Sequence, residues 1–274
     1  MKRGNNMEEI RCIGCGSVLQ SEDKNQAGFV PQAKLEEVSG EVVCRRCFRL
    51  KNYNEVTPLH ITADHYRDII SEIGNESALV VKIIDIFDIE GSIIPQIAKL
   101  TNHNDMILVA NKIDLLPKSI KEGKLKHHLM KIAADHNLKP KAIVLMSAKK
   151  NKNLDETMSI ITEYAENRNI YIVGATNVGK STFVNALLKA YAGSTQDVIT
   201  VSGNAGTTLD LIQIPFGDQL IIDTPGIINE NQLTHYIGPK TLKAVTPKKE
   251  IKPVGFQLDA EQTLFVGDCK CFST

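Results

Sequence analysis

"NIYIVGATNVGKSTFVNAL", residues 169–187, decides the fold. The apolar run "NIYIV" has strand length, and "KSTFVNALLKA" (180–190) reads as a helix. Between them, Gly174-Ala175-Thr176-Asn177-Val178-Gly179-Lys180-Ser181 matches the spacing G-x-x-x-x-G-K-[ST]. Glycines at those places let consecutive backbone N–H groups turn toward a phosphate with no Cβ in the way. Lys180 then reaches the β- and γ-oxygens, the Ser181 hydroxyl takes Mg²⁺, and Val178 and Thr182 complete the cradle.

Outward from this loop, two further signals stand at strand ends. Downstream, "QLIIDTPG" (219–226) puts Asp223 where an acid holds the magnesium shell, and Gly226 where a backbone N–H senses a γ-phosphate. Upstream, "ILVANKID" (107–114) carries Asn111-Lys112-x-Asp114. Its carboxylate can accept two hydrogen bonds from the N1 and N2 donors of guanine, a pair adenine lacks. A turn or helix cap is the plain alternative for Asn111 and Asp114. "VLMSAKKN" (144–151) adds Ser147-Ala148-Lys149, which can offer a backbone N–H to the guanine O6. The order is base, base, phosphate, switch, magnesium. That is a circular permutation of the usual order in GTP-binding domains, and nearby termini let a fold survive such a cut.

Strand-length apolar runs at 78–84, 106–110, 142–146, 170–173, 211–214 and 219–222 alternate with helical stretches at 123–137 and 153–167. The expectation is an α/β fold with a mainly parallel sheet, plus an antiparallel hairpin across "PFGD" (215–218). The chain has 274 residues, 42% hydrophobic, and zero formal net charge. A real core is available, and no global charge points to nucleic acid or membrane. The longest apolar stretch, "SALVVKIIDIFDI" (77–89), is broken by Lys82, Asp85 and Asp88, and "MKRGNNMEEI" lacks a signal-peptide core. A soluble, cytoplasmic protein with no membrane contact is expected.

Residues 1–57 are poor in apolar runs and hold Cys12-x-x-Cys15 and Cys44-x-x-Cys47. Four thiolates in two tight pairs close a tetrahedral Zn²⁺ site that staples a segment too small for its own core. Cys269 and Cys271 lack a partner pair and read as ordinary thiols, and the seven histidines show no ligand spacing. The expected units are a zinc domain (1–57), a permuted nucleotide domain (58–237), and a β-rich segment (238–274) too short to stand alone.

The pieces "CIGC", "CRRCFRLKNYNEV", "IIDIFDIEGSI", "NKIDLLP", "SAKK", "GATNVGKSTFVNAL", "GTTLD", "DTPG" and "TPKKEIKP" span nearly the whole chain. Together they resemble the YqeH family of circularly permuted bacterial GTPases. The resemblance implies a treble-clef-like zinc domain, a permuted G domain, and a C-terminal RNA-related domain that is longer in the family. The ending "GDCKCFST" departs from the family pattern, so the chain is expected to be truncated or divergent there. It also implies GTP/GDP, Mg²⁺ and Zn²⁺ as ligands, and a role in assembly of the small ribosomal subunit, with rRNA or a ribosomal protein as partner. In "AGTTLD" (205–210) it assigns magnesium ligation to Thr208, from a stretch that reads otherwise as a polar, mobile loop.

Where many GTPases carry a water-orienting Gln after D-x-x-G, this chain has Ile227, which cannot hydrogen-bond water. Hydrolysis should be slow alone. Asn177 together with this aliphatic residue is similar to potassium-activated GTPases, in which the ion bridges phosphates; a local turn bond is the alternative for Asn177. Arg45, Arg46, Arg49 and Lys51 beside Phe48 and Tyr53, and "KTLKAVTPKKEIK" (240–252), read either as phosphate-gripping patches or as solvated faces. The competing function is a zinc-stapled RNA- or protein-binding module that holds nucleotide with little turnover.

Overall fold

The strand "ALVVKIID" is apolar and β-branched on both faces, as a strand covered on two sides must be. In the computed structural model it is the strand β2 (Ala78–Asp85), deep in the sheet. The structure describes residues 10–13, 17–36, 42–53, 60–61, 71, 73–94, 97, 103–191, 211–227, 229, 232, 236–257, 259, 263–266 and 270–273. The other strands are β1 (His60–Ile61), β3 (Asp105–Asn111), β4 (Ala142–Leu145), β5 (Asn169–Gly174), β6 (Ile212–Phe216), β7 (Gln219–Asp223), β8 (Gly226–Ile227), β9 (Thr263–Val266) and β10 (Lys270–Ser273).

Six strands form one sheet in the order β4-β3-β2-β5-β7-β6. Every pairing is parallel except β6 with β7, the expected hairpin, which turns at Gly217 with φ +61°. The apolar residues of these strands make one buried cluster with Leu129, Met158, Ile161, Phe183 and Val184 from the flanking helices. The mainly parallel α/β class read from the sequence is the fold observed.

The parallel registers bring the carboxyl ends of the strands together. Asp85 pairs with Asn111, Ile83 with Gly174, Ala110 with Leu145, and Ile172 with Asp223. The phosphate-loop strand β5 therefore sits between the guanine-side strands and the D-T-P-G strand, although the chain visits the guanine side first. This is the permutation in space.

The splice lies between the helix Leu154–Ala165 and β5. Glu166 (φ 47°) and Asn167 (φ 69°) turn the chain through left-handed backbone. Arg168 pins the turn: its guanidinium donates to Asp105 Oδ2 at 3.0 Å and to the carbonyls of Tyr164 and Ala165.

Cys12, Cys44 and Cys47 are buried with Leu19 and Val30 in a separate small cluster. The helix Arg45–Tyr53 follows the second cysteine pair. Arg46 on it is buried, so the basic cluster is not a uniform solvated face. Phe48 and Tyr53 are exposed, and Lys34 Nζ lies 5.5 Å from the Phe48 ring centroid. The Lys/Pro-rich stretch from 238 holds a helix, Pro239–Val245, with proline in its first turn. Beyond it, β9 and β10 pair antiparallel. Among the described residues no helix is long and apolar enough to cross a membrane.

Candidate nucleotide and metal sites

Asn111, at the end of β3, does its work inside the protein. Its Nδ2 donates to Val178 O at 2.9 Å, and its Oδ1 accepts from Ala148 N at 2.9 Å. One buried amide thus ties the phosphate loop to the Ser147-Ala148-Lys149 loop, across 67 and 37 residues of chain. Gly179 beside it has φ +91°, and a Cβ there would lie 2.3 Å from Asn111 Nδ2. Only glycine fits both the backbone and the neighbour.

Lys112 sits in left-handed backbone, φ 71°. Its Nζ donates to Asp85 Oδ2 at 2.5 Å and to Asn177 O at 2.7 Å, so it bridges the end of β2 and the phosphate loop. Asp114 lies in a short 3₁₀ turn, Ile113–Leu115, half-buried. It lines a cavity of about 460 Å³ together with Asn111, Lys112, Ser147, Gly179 and Thr182. Of the three N–H groups in Ser147-Ala148-Lys149, Ser147 donates to Lys152 O and Ala148 to Asn111. That narrows the donor left for a guanine oxygen to Lys149, which also lines the cavity.

A second cavity, of about 570 Å³, shares Asp85, Phe87 and Lys112 with the first and extends to Thr176, Asn177 and Gln232. Gly174, which opens the phosphate loop, is tightly packed: a Cβ there would stand 3.0 Å from Val178 Cγ2 and 3.1 Å from Ile83 O. Asn177 has φ 63°, a conformation asparagine tolerates, and its amide makes no hydrogen bond among the described residues. The local turn bond that was the alternative reading is not observed.

Lys180, first in its helix, is 6% exposed and donates to Asp223 Oδ1 at 2.5 Å and to Thr224 O. Ser181 follows it, half-buried. A hydroxyl and a carboxylate beside a buried lysine are hard oxygen donors of the kind Mg²⁺ takes. Gly226 lies against Thr176 at ordinary contact distance. Thr208 lies outside the described residues.

Among the metal candidates, the sulfurs of Cys12, Cys44 and Cys47 all lie within 4.8 Å of one another and are buried. Cys44 N donates to Cys12 Sγ at 3.2 Å. Three such thiols fit the tetrahedral Zn–S arrangement. Cys15 falls outside the described residues.

Three features escaped sequence reasoning. Lys82, read as a break in an apolar run, is fully buried, with Nζ donating to Ser92 O at 2.7 Å, and burial lowers its pKa to about 7. Thr246, Pro247 and Lys248 wall the base-side cavity, held there by Ile251 N donating to Leu115 O at 2.9 Å. Gln232 is clasped to Thr176. None carries a local motif that gives it this place, although Thr246, Pro247 and Lys248 open the stretch "TPKKEIKP". The first two needed the fold, and the only signal for the third was an amide shortly after a D-T-P-G that lacks one.

A family described as 50S ribosome-binding GTPase matches residues 169–264, beginning at the phosphate-loop strand. The uncharacterized protein YqeH of Bacillus subtilis (strain 168) is 46% identical over 262 residues, which are 95% of this chain and 71% of that protein. NO-associated protein 1, chloroplastic/mitochondrial, of Arabidopsis thaliana is 30% identical over 92% of this chain and 49% of its own length. The small ribosomal subunit biogenesis GTPase RsgA of Malacoplasma penetrans is 33% identical over 46% of this chain and 40% of its own. The chain thus spans 71% of the Bacillus protein and about half of the Arabidopsis one. It belongs to the YqeH family and carries a GTPase domain.

Proposed function

We propose that this YqeH-family chain hydrolyses GTP to GDP and phosphate with Mg²⁺, as a nucleotide-controlled switch in assembly of the small ribosomal subunit. The observation that carries the GTPase reading is Asn111, whose buried amide joins the two base-side loops to the phosphate loop as one site. Asp114 would select guanine, Lys149 N–H would meet its O6, Lys180 would bind phosphates, and Ser181, Asp223 and Thr208 would hold the magnesium. Magnesium supplies charge neutralisation on the phosphates.

The ribosomal role is supported by the name of one relative, a small ribosomal subunit biogenesis GTPase, and by the description of the matching family as 50S ribosome-binding. The zinc unit (1–57) and the segment from 238, with Phe48 and Tyr53 exposed on a basic helix, supply the surface for rRNA or a ribosomal protein. Asn177, with a side chain free to coordinate, supports potassium stimulation. A cytoplasmic location goes with this reading.

The test is GTP turnover in potassium against sodium, with and without small ribosomal subunits. Because Asn177 has φ 63°, Asn177→Gly removes the amide without backbone strain and is the informative variant. Turnover stimulated by potassium and by subunits, with the potassium effect lost in the variant, is expected. Ile227 favours a second reading, a binding module, and tight GTP binding without turnover in any condition would establish it.

A further inference from the structure

Ile227 leaves the usual water-orienting position without an amide. Five residues on, Gln232 supplies one, and the fold brings it to the phosphate loop. Gln232 is 3% exposed, and both ends of its side chain meet Thr176, the third residue of the phosphate loop. Thr176 Oγ1 donates to Gln232 Oε1 at 2.7 Å, and Gln232 Nε2 donates to Thr176 O at 2.7 Å. A carbonyl can only accept, so Nε2 must face Thr176 O, and the amide has a single orientation.

Its surroundings include residues of the loop that the GTPase reading assigns to the phosphates. Gly226 lies against the same threonine, where its Cβ would come 3.5 Å from Thr176 Cγ2. Gln232 and Thr176 line the phosphate-side cavity together with Asn177. Asn229 is anchored too: its Nδ2 donates to Gly91 O at 3.0 Å and Ile93 O at 2.8 Å, and its backbone carbonyl accepts from Gln232 N at 2.9 Å. Gln232 is therefore held from both its backbone and its side chain.

We propose that Gln232 is the catalytic residue that orients the attacking water, and that Thr176 is its positioning residue; this rests on the GTPase reading above. An amide oxygen has two lone pairs and an amide nitrogen two hydrogens. With one of each given to Thr176, Gln232 keeps a lone pair for a water O–H and an N–H for a γ-phosphate oxygen. The water oxygen bonds to the γ-phosphorus, the bond to the β–γ bridging oxygen breaks, and its electron pair leaves with GDP. One water proton remains on inorganic phosphate and the other leaves to solvent.

The experiment is single-turnover GTP hydrolysis, with GTP affinity measured alongside, for wild type, Gln232→Ala, Thr176→Val and Thr176→Ser. Gln232→Ala should slow hydrolysis about 100-fold or more, the scale of losing one transition-state hydrogen bond, with GTP affinity within about two-fold. Thr176→Val should lose about ten-fold through misorientation, and Thr176→Ser, which keeps the hydroxyl, should recover most of that. Hydrolysis by Gln232→Ala within two-fold of wild type, or faster than wild type, overturns the proposal alone. A parallel collapse of GTP affinity in Gln232→Ala would make Gln232 structural and overturn it as well. A wild-type protein that binds GTP without hydrolysing it removes the GTPase reading, and the proposal with it.

Discussion

Lys180 Nζ lies 2.5 Å from Asp223 Oδ1, joining the residue that would grip phosphate to the residue that would hold magnesium. Both are nearly buried. Without nucleotide each satisfies the other, and a magnesium-nucleotide pair has to separate them by offering an anion to one and a cation to the other. Breaking a buried pair by removing one partner strands the remaining charge, at about 3–5 kcal/mol. Asp223→Asn should therefore lower the unfolding free energy of the nucleotide-free protein on that scale and abolish the Mg²⁺ dependence of GTP binding. Denaturant titrations with and without Mg·GDP check both. Unchanged stability without nucleotide would show that the pair contributes nothing.

Asn111→Ala separates an internal tie from a base contact. Its loss leaves Val178 O and Ala148 N buried and unpartnered, at about 1–3 kcal/mol each. A clear stability loss before any nucleotide is added is expected in chemical denaturation. Wild-type stability with weakened guanine binding alone would return Asn111 to the role of base reader.

The splice carries an acid-sensitive clasp. Burial acts upward on the Asp105 carboxyl, but hydrogen bonds and charge from Arg168 and Lys141 outweigh it and hold its pKa below the usual carboxylate value. A carboxyl depressed in the folded state contributes stability that is present above its unfolded pKa, and that stability is lost as pH falls through the folded value. Asp105 is partly exposed, so the clasp is worth about 1 kcal/mol or less. Asp105→Asn should cost that at pH 7, with the gap closing below about pH 4. A gap that widens in acid would contradict the assignment.

Lys82 has the opposite signature. Burial lowers its pKa from 10.5 to about 7. Between those values the unfolded chain holds a proton that the folded one has released, so stability rises with pH across that window. The cost of burying this lysine is full below about pH 7 and fades toward pH 10. Lys82→Met should show its greatest relative stability near or below pH 7, shrinking against wild type as pH rises. A difference that stays flat from pH 6 to 10 would mean that Lys82 does not titrate there.

The fold was legible where its determinants are local. β-Branched runs marked the six sheet strands to within about two residues, and glycine spacing marked the phosphate loop. Three contacts that define the site join residues 43, 56 and 67 apart: Lys180 with Asp223, Thr176 with Gln232, and Asn111 with Val178. No periodicity encodes such pairs. Asn111 reads in the sequence as part of a base motif, and only its hydrogen bonds to Val178 O and from Ala148 N show that its amide also ties two loops together. Lys82 looked like an interruption because charge in a strand normally faces water. Here the 89–92 turn lies over it and offers the carbonyl of Ser92.

If a base motif and a phosphate loop in reversed chain order serve one nucleotide, Asp114→Asn with xanthosine triphosphate will reveal it. An asparagine amide matches the N1 donor and the C2 oxygen of xanthine as a carboxylate matches the two donors of guanine. The variant should lose GTP affinity by about two orders of magnitude or more and hydrolyse XTP at close to the wild-type rate on GTP. Wild-type GTP binding and turnover in Asp114→Asn would contradict this, because the residues around 114 would then not belong to the site that Lys180 serves.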